Sequence, residues 1–280
     1  MLHLNASRLR FTPGSRISGA GRVRVSSGTT EILGGLGPLG GVDVSATLLV
    51  ESSAPVVLDS LVLTGTLGGR GEVVVTRDIE WRGGRMEGAG TFRLDPSGTA
   101  RWTGGDRSLA RRWDNRGTVL WLAGRTFSAD GALVNRPGAR LEVRGDLAAF
   151  DGVWRNEGLV EKVSGTGVAS ISGRFDNAGE IRVHQGSLSL RGGGSHGGAF
   201  NVAPGAEFMF GGGFHWAGPG TSAAGGGTIA TDGSAVVRFG EGTLLAADLR
   251  VTGGSLTLLP GALVEIAGRR VLVDGTATFN

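Results

Sequence analysis

The stretch Phe175-Asp176-Asn177-Ala178-Gly179-Glu180-Ile181-Arg182-Val183-His184-Gln185-Gly186-Ser187-Leu188-Ser189-Leu190-Arg191-Gly192-Gly193-Gly194 decides how the chain is read. Ile181 and Val183 fall on one face of an extended segment, Arg182 and His184 on the other. After Gly186 the apolar face resumes at Leu188 and Leu190. Alternation with period two, in short runs bounded by Gly and Asn, marks strands rather than helices.

Outward from this stretch, its opening phrase returns. Arg112-Trp113-Asp114-Asn115-Arg116-Gly117 parallels Arg174-Phe175-Asp176-Asn177-Ala178-Gly179, and Val153-Trp154-Arg155-Asn156-Glu157-Gly158 is a third version. Asn115, Asn135, Asn156, Asn177 and Asn201 recur at spacings of 20, 21, 21 and 24 residues. A second phrase repeats as Pro137-Gly138-Ala139-Arg140-Leu141-Glu142-Val143, Pro204-Gly205-Ala206-Glu207-Phe208-Met209-Phe210 and Pro260-Gly261-Ala262-Leu263-Val264-Glu265-Ile266. A third is Gly-x-Gly before a strand, at Gly19-Ala20-Gly21, Gly69-Arg70-Gly71 and Gly88-Ala89-Gly90.

A period near 21 residues is one coil of a solenoid. The fold expected is all-β: a right-handed parallel β-helix, its hand taken from the commoner form, with about 12 or 13 coils stacked at ~4.8 Å. A lone coil buries too few apolar side chains to offset the entropy of fixing its backbone, so neighbours must close the core. Residues 1–280 read as a single solenoid domain, less regular over 1–68 and clearer over 69–280. Gly34 to Gly41 reads as a loop, Asp106 to Trp113 as weakly helical, and all eight prolines as corner residues. The asparagines are expected to stack in a ladder along the axis. Neither end carries an evident cap, so the chain is expected to be a segment of a larger polypeptide. Met1-Leu2-His3-Leu4-Asn5 lacks the features of a secretory signal.

Composition excludes several classes. Of 280 residues 54 are glycine, without the strict triplet period of collagen. No apolar stretch approaches the ~18 residues of a spanning helix, so no membrane insertion is expected. The net charge is only +3, from 28 basic and 25 acidic residues. The pI near 10.7 reflects an absence of Tyr and Cys and a single lysine, Lys162, rather than a basic protein. Nucleic acid is therefore not expected as a partner. Without cysteine there is no disulfide, thiolate catalysis or Cys-ligated metal.

The chemical candidates mostly resolve into structure. Gly-x-Gly here opens strands, not the helix that a dinucleotide site requires. His3, His184, His196 and His215 show no ligand spacing, and the Asp-Gly pairs at Asp130, Asp151, Asp232 and Asp274 lack the calcium-binding nonapeptide, so no metal and no cofactor are expected. Asp114 and Asp176 recur with their asparagines, as corner residues do, and no catalytic residue is assigned. Arg101, Arg107, Arg111, Arg112 and Arg116 read as a solvated face. Repeat alignment puts Trp81, Trp102, Trp113, Trp121 and Trp154 inside. Trp216, with His215 beside it, is the candidate surface ligand contact.

From Trp81 to about Ile229 the phrases resemble the Gly/Asn-rich β-solenoid repeats of large bacterial secreted and surface proteins, adhesin- or autotransporter-like. The resemblance implies a non-enzymatic, rigid stalk or adhesive scaffold, extracellular or at the cell surface. Its implied partners are surface glycans, other surface proteins and flanking coils of its own longer chain. Two alternatives stand beside it: a carbohydrate-active β-helix enzyme, such as a polysaccharide lyase or hydrolase, and a glycan-binding module.

Overall fold

The computed structural model of the protein describes residues 1–128, 130–265 and 269–279. Among them are strands and turns but no helix, stacked as a parallel β-solenoid of about 14 turns. That exceeds the 12 or 13 expected because the turns are shorter. Register partners stand 17 residues apart at Val56–Val73 and 23 apart at Phe200–Ala223. The chain divides into two compact units, Met1–Arg140 and Leu141–Asn280.

In the first unit, in-register stacking carries each inward side chain onto its equivalent one turn on. Leu63, Trp81, Trp102 and Trp121 form one such row, and Phe92, Trp113 and Leu133 another. The rows meet in the middle of the unit. Trp81 and Trp113 stack at 5.6 Å between ring centres, and Trp102 meets Trp113 edge-on at 5.3 Å. All four indoles are buried, so dispersion and edge-to-face contacts add to the hydrophobic term.

Three expectations fail in this unit. Arg107–Asn115 is a strand, because Arg107, Leu109, Arg111 and Trp113 all point inward with period two. Arg107 and Arg111, expected in solvent, are 1% and 2% exposed. Gly35–Val44 is also a strand rather than a loop. Pro38 sits inside it, beside a register irregularity where the missing N–H disrupts no regular ladder.

In the second unit Trp154 lies on Phe175, Leu188 on Phe208 on Ile229 on Leu249, and Ile181 on Phe200 on Ala223 on Leu245. The asparagine ladder exists in part. Asn156 Nδ2 donates to Asn177 Oδ1 at 2.8 Å, as Asn115 does to Asn135 at 2.7 Å in the first unit. Asn201 does not continue it: Asn201 lies over Arg182, facing out, and the residue above Asn177 is His196.

The Pro-Gly-Ala phrases are tight turns. Ala139 N donates to Arg136 O at 2.9 Å, Ala206 N to Ala203 O at 3.0 Å and Ala262 N to Leu259 O at 3.0 Å. Proline supplies the first central residue and the following glycine takes φ of +81°, +79° and +83°, the signature of a type II turn. Ile266, at the end of the third phrase, lies outside the described residues.

Candidate functional site

Alternation on five strands of the second unit builds the most distinctive outer surface. Val153–Asn156, Arg174–Asn177, Gly194–His196, Phe214–Ala217 and Val236–Phe239 lie side by side. Their outward positions form a row across the turns: Arg155, Asp176, Ser195, Trp216 and Arg238. The row borders a depression of about 470 Å³, within the size range of small-ligand sites.

Trp216 is 36% exposed. Its ring lies along the backbone because two glycines make room. A Cβ on Gly218 would stand 2.8 Å from Nε1, and one on Gly240 would stand 2.8 Å from the far edge of the ring. The indole therefore presents a flat face instead of projecting. Beside it Phe214 is 51% exposed, and the Arg238 guanidinium stands 5.7 Å from its ring centre, in cation–π range.

At the other end of the row, Arg174 Nε donates to both carboxylate oxygens of Asp176 at 3.1 Å, and Ser195 N donates to Oδ1 at 2.9 Å. Burial pushes this carboxyl up. The Arg174 bond, the Ser195 N–H and the charges of Arg174 and Arg155 outweigh burial and leave it below the ordinary carboxylate range. Asp176 is thus a fixed anion and acceptor. Arg155 acts on it through space but makes no ion pair of its own among the described residues.

His215, expected at the surface with Trp216, is fully buried. By strand alternation it takes the inward position while Phe214 and Trp216 take the outward ones. It belongs to the buried row of Phe175: from there the register passes through Gly194 to His215 and Val237. His215 Nε2 lies 2.8 Å from the Gly212 carbonyl, which can only accept, so the proton sits on Nε2. His215 Nδ1 then accepts from His196 Nε2 at 3.0 Å, and His196 Nδ1 is left without a partner. Desolvation dominates both rings. It pulls His196 down to about 3, helped by His215, and His215 down to about 4, against the Gly212 and Leu190 carbonyls. Both are neutral at physiological pH. His196 also lines the floor of the depression.

Composition gave no sign of one interior device. Three cations point inward to meet carbonyls that the corners turn toward the core. Arg107 reaches Ala123 O at 2.7 Å and Thr103 O at 3.1 Å, with its guanidinium 5.4 Å from the Trp102 ring centre. Arg111 donates to Gly90 O and Gly71 O, each at 3.0 Å. Lys162 donates to Ser164 O at 2.8 Å, Gly165 O at 3.0 Å and Asp146 Oδ1 at 3.0 Å. Desolvation pulls Arg107 and Arg111 down to about 10, so both keep their charge at neutral pH.

His184 faces outward and contacts Glu161 at 3.0 Å, and His3 is exposed at the first strand. Among the described residues no group of three or more His, Asp or Glu side chains is arranged to hold a metal ion. Comparisons with protein-family models, with curated proteins and with solved structures return no match.

Proposed function

We propose that the chain is a non-enzymatic structural and adhesive β-solenoid of an exported or cell-surface bacterial protein, a rigid scaffold that displays the outer face bearing Trp216. The observation that carries this reading is the in-register stacking of the interior: tryptophan on tryptophan and asparagine on asparagine, with cations spent on carbonyls. Such an interior supplies stiffness, and what varies from turn to turn is the outside. The Gly/Asn-rich phrases and their likeness to surface-protein repeats support the same reading.

A carbohydrate-active enzyme is the second reading, favoured by one feature: Arg155, Glu157, Arg174 and Asp176 converge on one depression from adjacent turns. General-acid chemistry needs a carboxyl held high, whereas Asp176 is held low. That supports contact over turnover.

Two measurements test the proposal. Protease shaving and fractionation of the producing cells should place the chain at the surface, and a turnover screen on acidic polysaccharides should give no saturable rate. Retention in the cytosolic fraction, or saturable turnover, overturns it.

A further inference from the structure

We infer that the row Arg155–Asp176–Ser195–Trp216 is a binding site for an acidic oligosaccharide. One pyranose would stack on the Trp216 indole, and a carboxylate-bearing sugar further along would reach Arg155. This rests on the adhesive reading above and gives that reading its ligand class.

Each position in the row supplies a different part of the recognition. The Trp216 ring is held flat by Gly218 and Gly240, offering an apolar face of the kind on which the C–H side of a sugar ring packs. Its Nε1–H has no protein partner among the described residues and is free to donate to a hydroxyl. Ser195 is small and exposed, so nothing fills the space between Trp216 and Asp176. Asp176, ionised and fixed by Arg174 and Ser195 N, has acceptor capacity left for sugar hydroxyls. Arg155 carries the guanidinium with no ion pair, where most arginines of this chain have one. A planar fork of this kind matches a carboxylate. From Arg155 to Trp216 is three strand steps, ~14 Å, a span that three linked pyranose rings cover.

A single-stranded nucleic acid also stacks on aromatics and pairs with arginine. Here it meets Asp176 between the aromatic and the free cation, and Glu157 beside that cation on the same turn, and two carboxylates repel a phosphate in every residue. One carboxylate per sugar, with hydroxyls between, fits the order of charges better.

Calorimetric titration of the whole chain with trigalacturonate, maltotriose and oligo-thymidylate tests this. Trigalacturonate should bind about tenfold more tightly than maltotriose, the worth of one charge-assisted contact, with affinity falling as salt rises. Arg155→Gln should erase the preference for the acid. Trp216→Ala should weaken both sugars about tenfold, and Trp216→Phe should restore part of the loss. Arg101→Gln, which removes a cation paired with Asp78 in the first unit, should change nothing. Thermal unfolding of each variant separates lost binding from lost fold. Equal binding of the two sugars, no binding of trigalacturonate, an Arg155→Gln variant that keeps its preference, or tighter binding of oligo-thymidylate would each overturn the inference. If the chain adheres to neutral glycans instead, the adhesive reading survives and this assignment alone falls.

Discussion

Gly205 and Gly198 are both glycine, for different reasons. Gly205 sits at φ +79° with open space where a Cβ would go, so only its backbone requires glycine. Gly205→Ala should cost ~1–2 kcal/mol, the price of a left-handed L-residue. At Gly198 a Cβ would lie 2.0 Å from the Gly179 carbonyl oxygen of the preceding turn, so Gly198→Ala must push two turns apart. Urea unfolding should show the second variant several-fold more destabilised than the first, and equal losses would contradict this account. Lys162 makes a related case. Replacing it with Met keeps the buried stem but leaves the Ser164 and Gly165 carbonyls without their donor, at a cost of ~2–4 kcal/mol by the same measurement. The residue scale is also where sequence reading succeeded and failed. The inward tryptophans were legible because alternation and hydrophobicity agree for them. Arg107, Arg111 and Lys162 were not, because a charged residue signals solvent unless the carbonyls that will meet it are already placed. Gly71 read correctly as a corner, whereas Gly90 lies inside the strand Gly84–Leu94 at a register irregularity, and neither was read as an acceptor for Arg111. A Cβ on Gly90 would fall 2.2 Å from the Gly71 carbonyl oxygen and 2.4 Å from the Arg111 guanidinium, so that position must be glycine for the cation as well as for the close approach of the preceding turn.

At the scale of single strands, Phe214–Ala217 shows how a register is misread. Trp216 faces out as expected, but alternation puts its neighbour His215 on the opposite face, so the two do not share the surface. Counting turns from Phe175 through Gly194 would have placed His215 inside. Glycine at 194 broke the apolar row that such counting follows. The buried His196–His215 pair gives this region a pH response whose sign is fixed. Both rings titrate near 6.5 when unfolded and at about 3 and about 4 when folded. Above pH 6.5 both states are neutral and stability is unaffected. As pH falls from 6.5 toward 4 and then 3, the unfolded chain gains protons that the folded one refuses, and stability is lost. The two rings share one hydrogen bond and titrate together, so the loss amounts to a few kcal/mol. Melting temperature against pH should fall through that window and level off below it. In the double variant His196→Asn/His215→Leu the fall should be shallower, since asparagine at 196 extends the Asn156–Asn177 ladder and leucine suits the row of Phe175. An unchanged slope would assign acid sensitivity to other groups.

For the molecule as a whole, charge follows from what is missing. With 27 arginines among the 28 basic residues and neither tyrosine nor cysteine, almost nothing titrates between the N-terminal amine and pH 10. Burial brings Arg107 and Arg111 to about 10 but not below it. Electrophoretic mobility should therefore stay small, cationic and nearly flat from about pH 8.5 to 9.5, and a sign reversal in that interval would mean that cations besides Arg107 and Arg111 are suppressed inside. The fold class was readable because repetition averages over local ambiguity, and a misjudged turn leaves the others intact. The outer face was not readable in the same way. Its meaning depends on which residues from successive turns become neighbours, and insertions of one or two residues at corners move that register.

Turns that stack residue upon residue also set which genetic changes the chain can absorb. Tandem duplication of one whole repeat, joined at equivalent corners, adds a layer whose inner and outer sides already match those above and below. Loss of a single codon within a strand instead turns a segment of the wall inside out. Growth by copying and intolerance of small indels are therefore two aspects of one geometry, and under selection such a gene would change length in steps of about a turn.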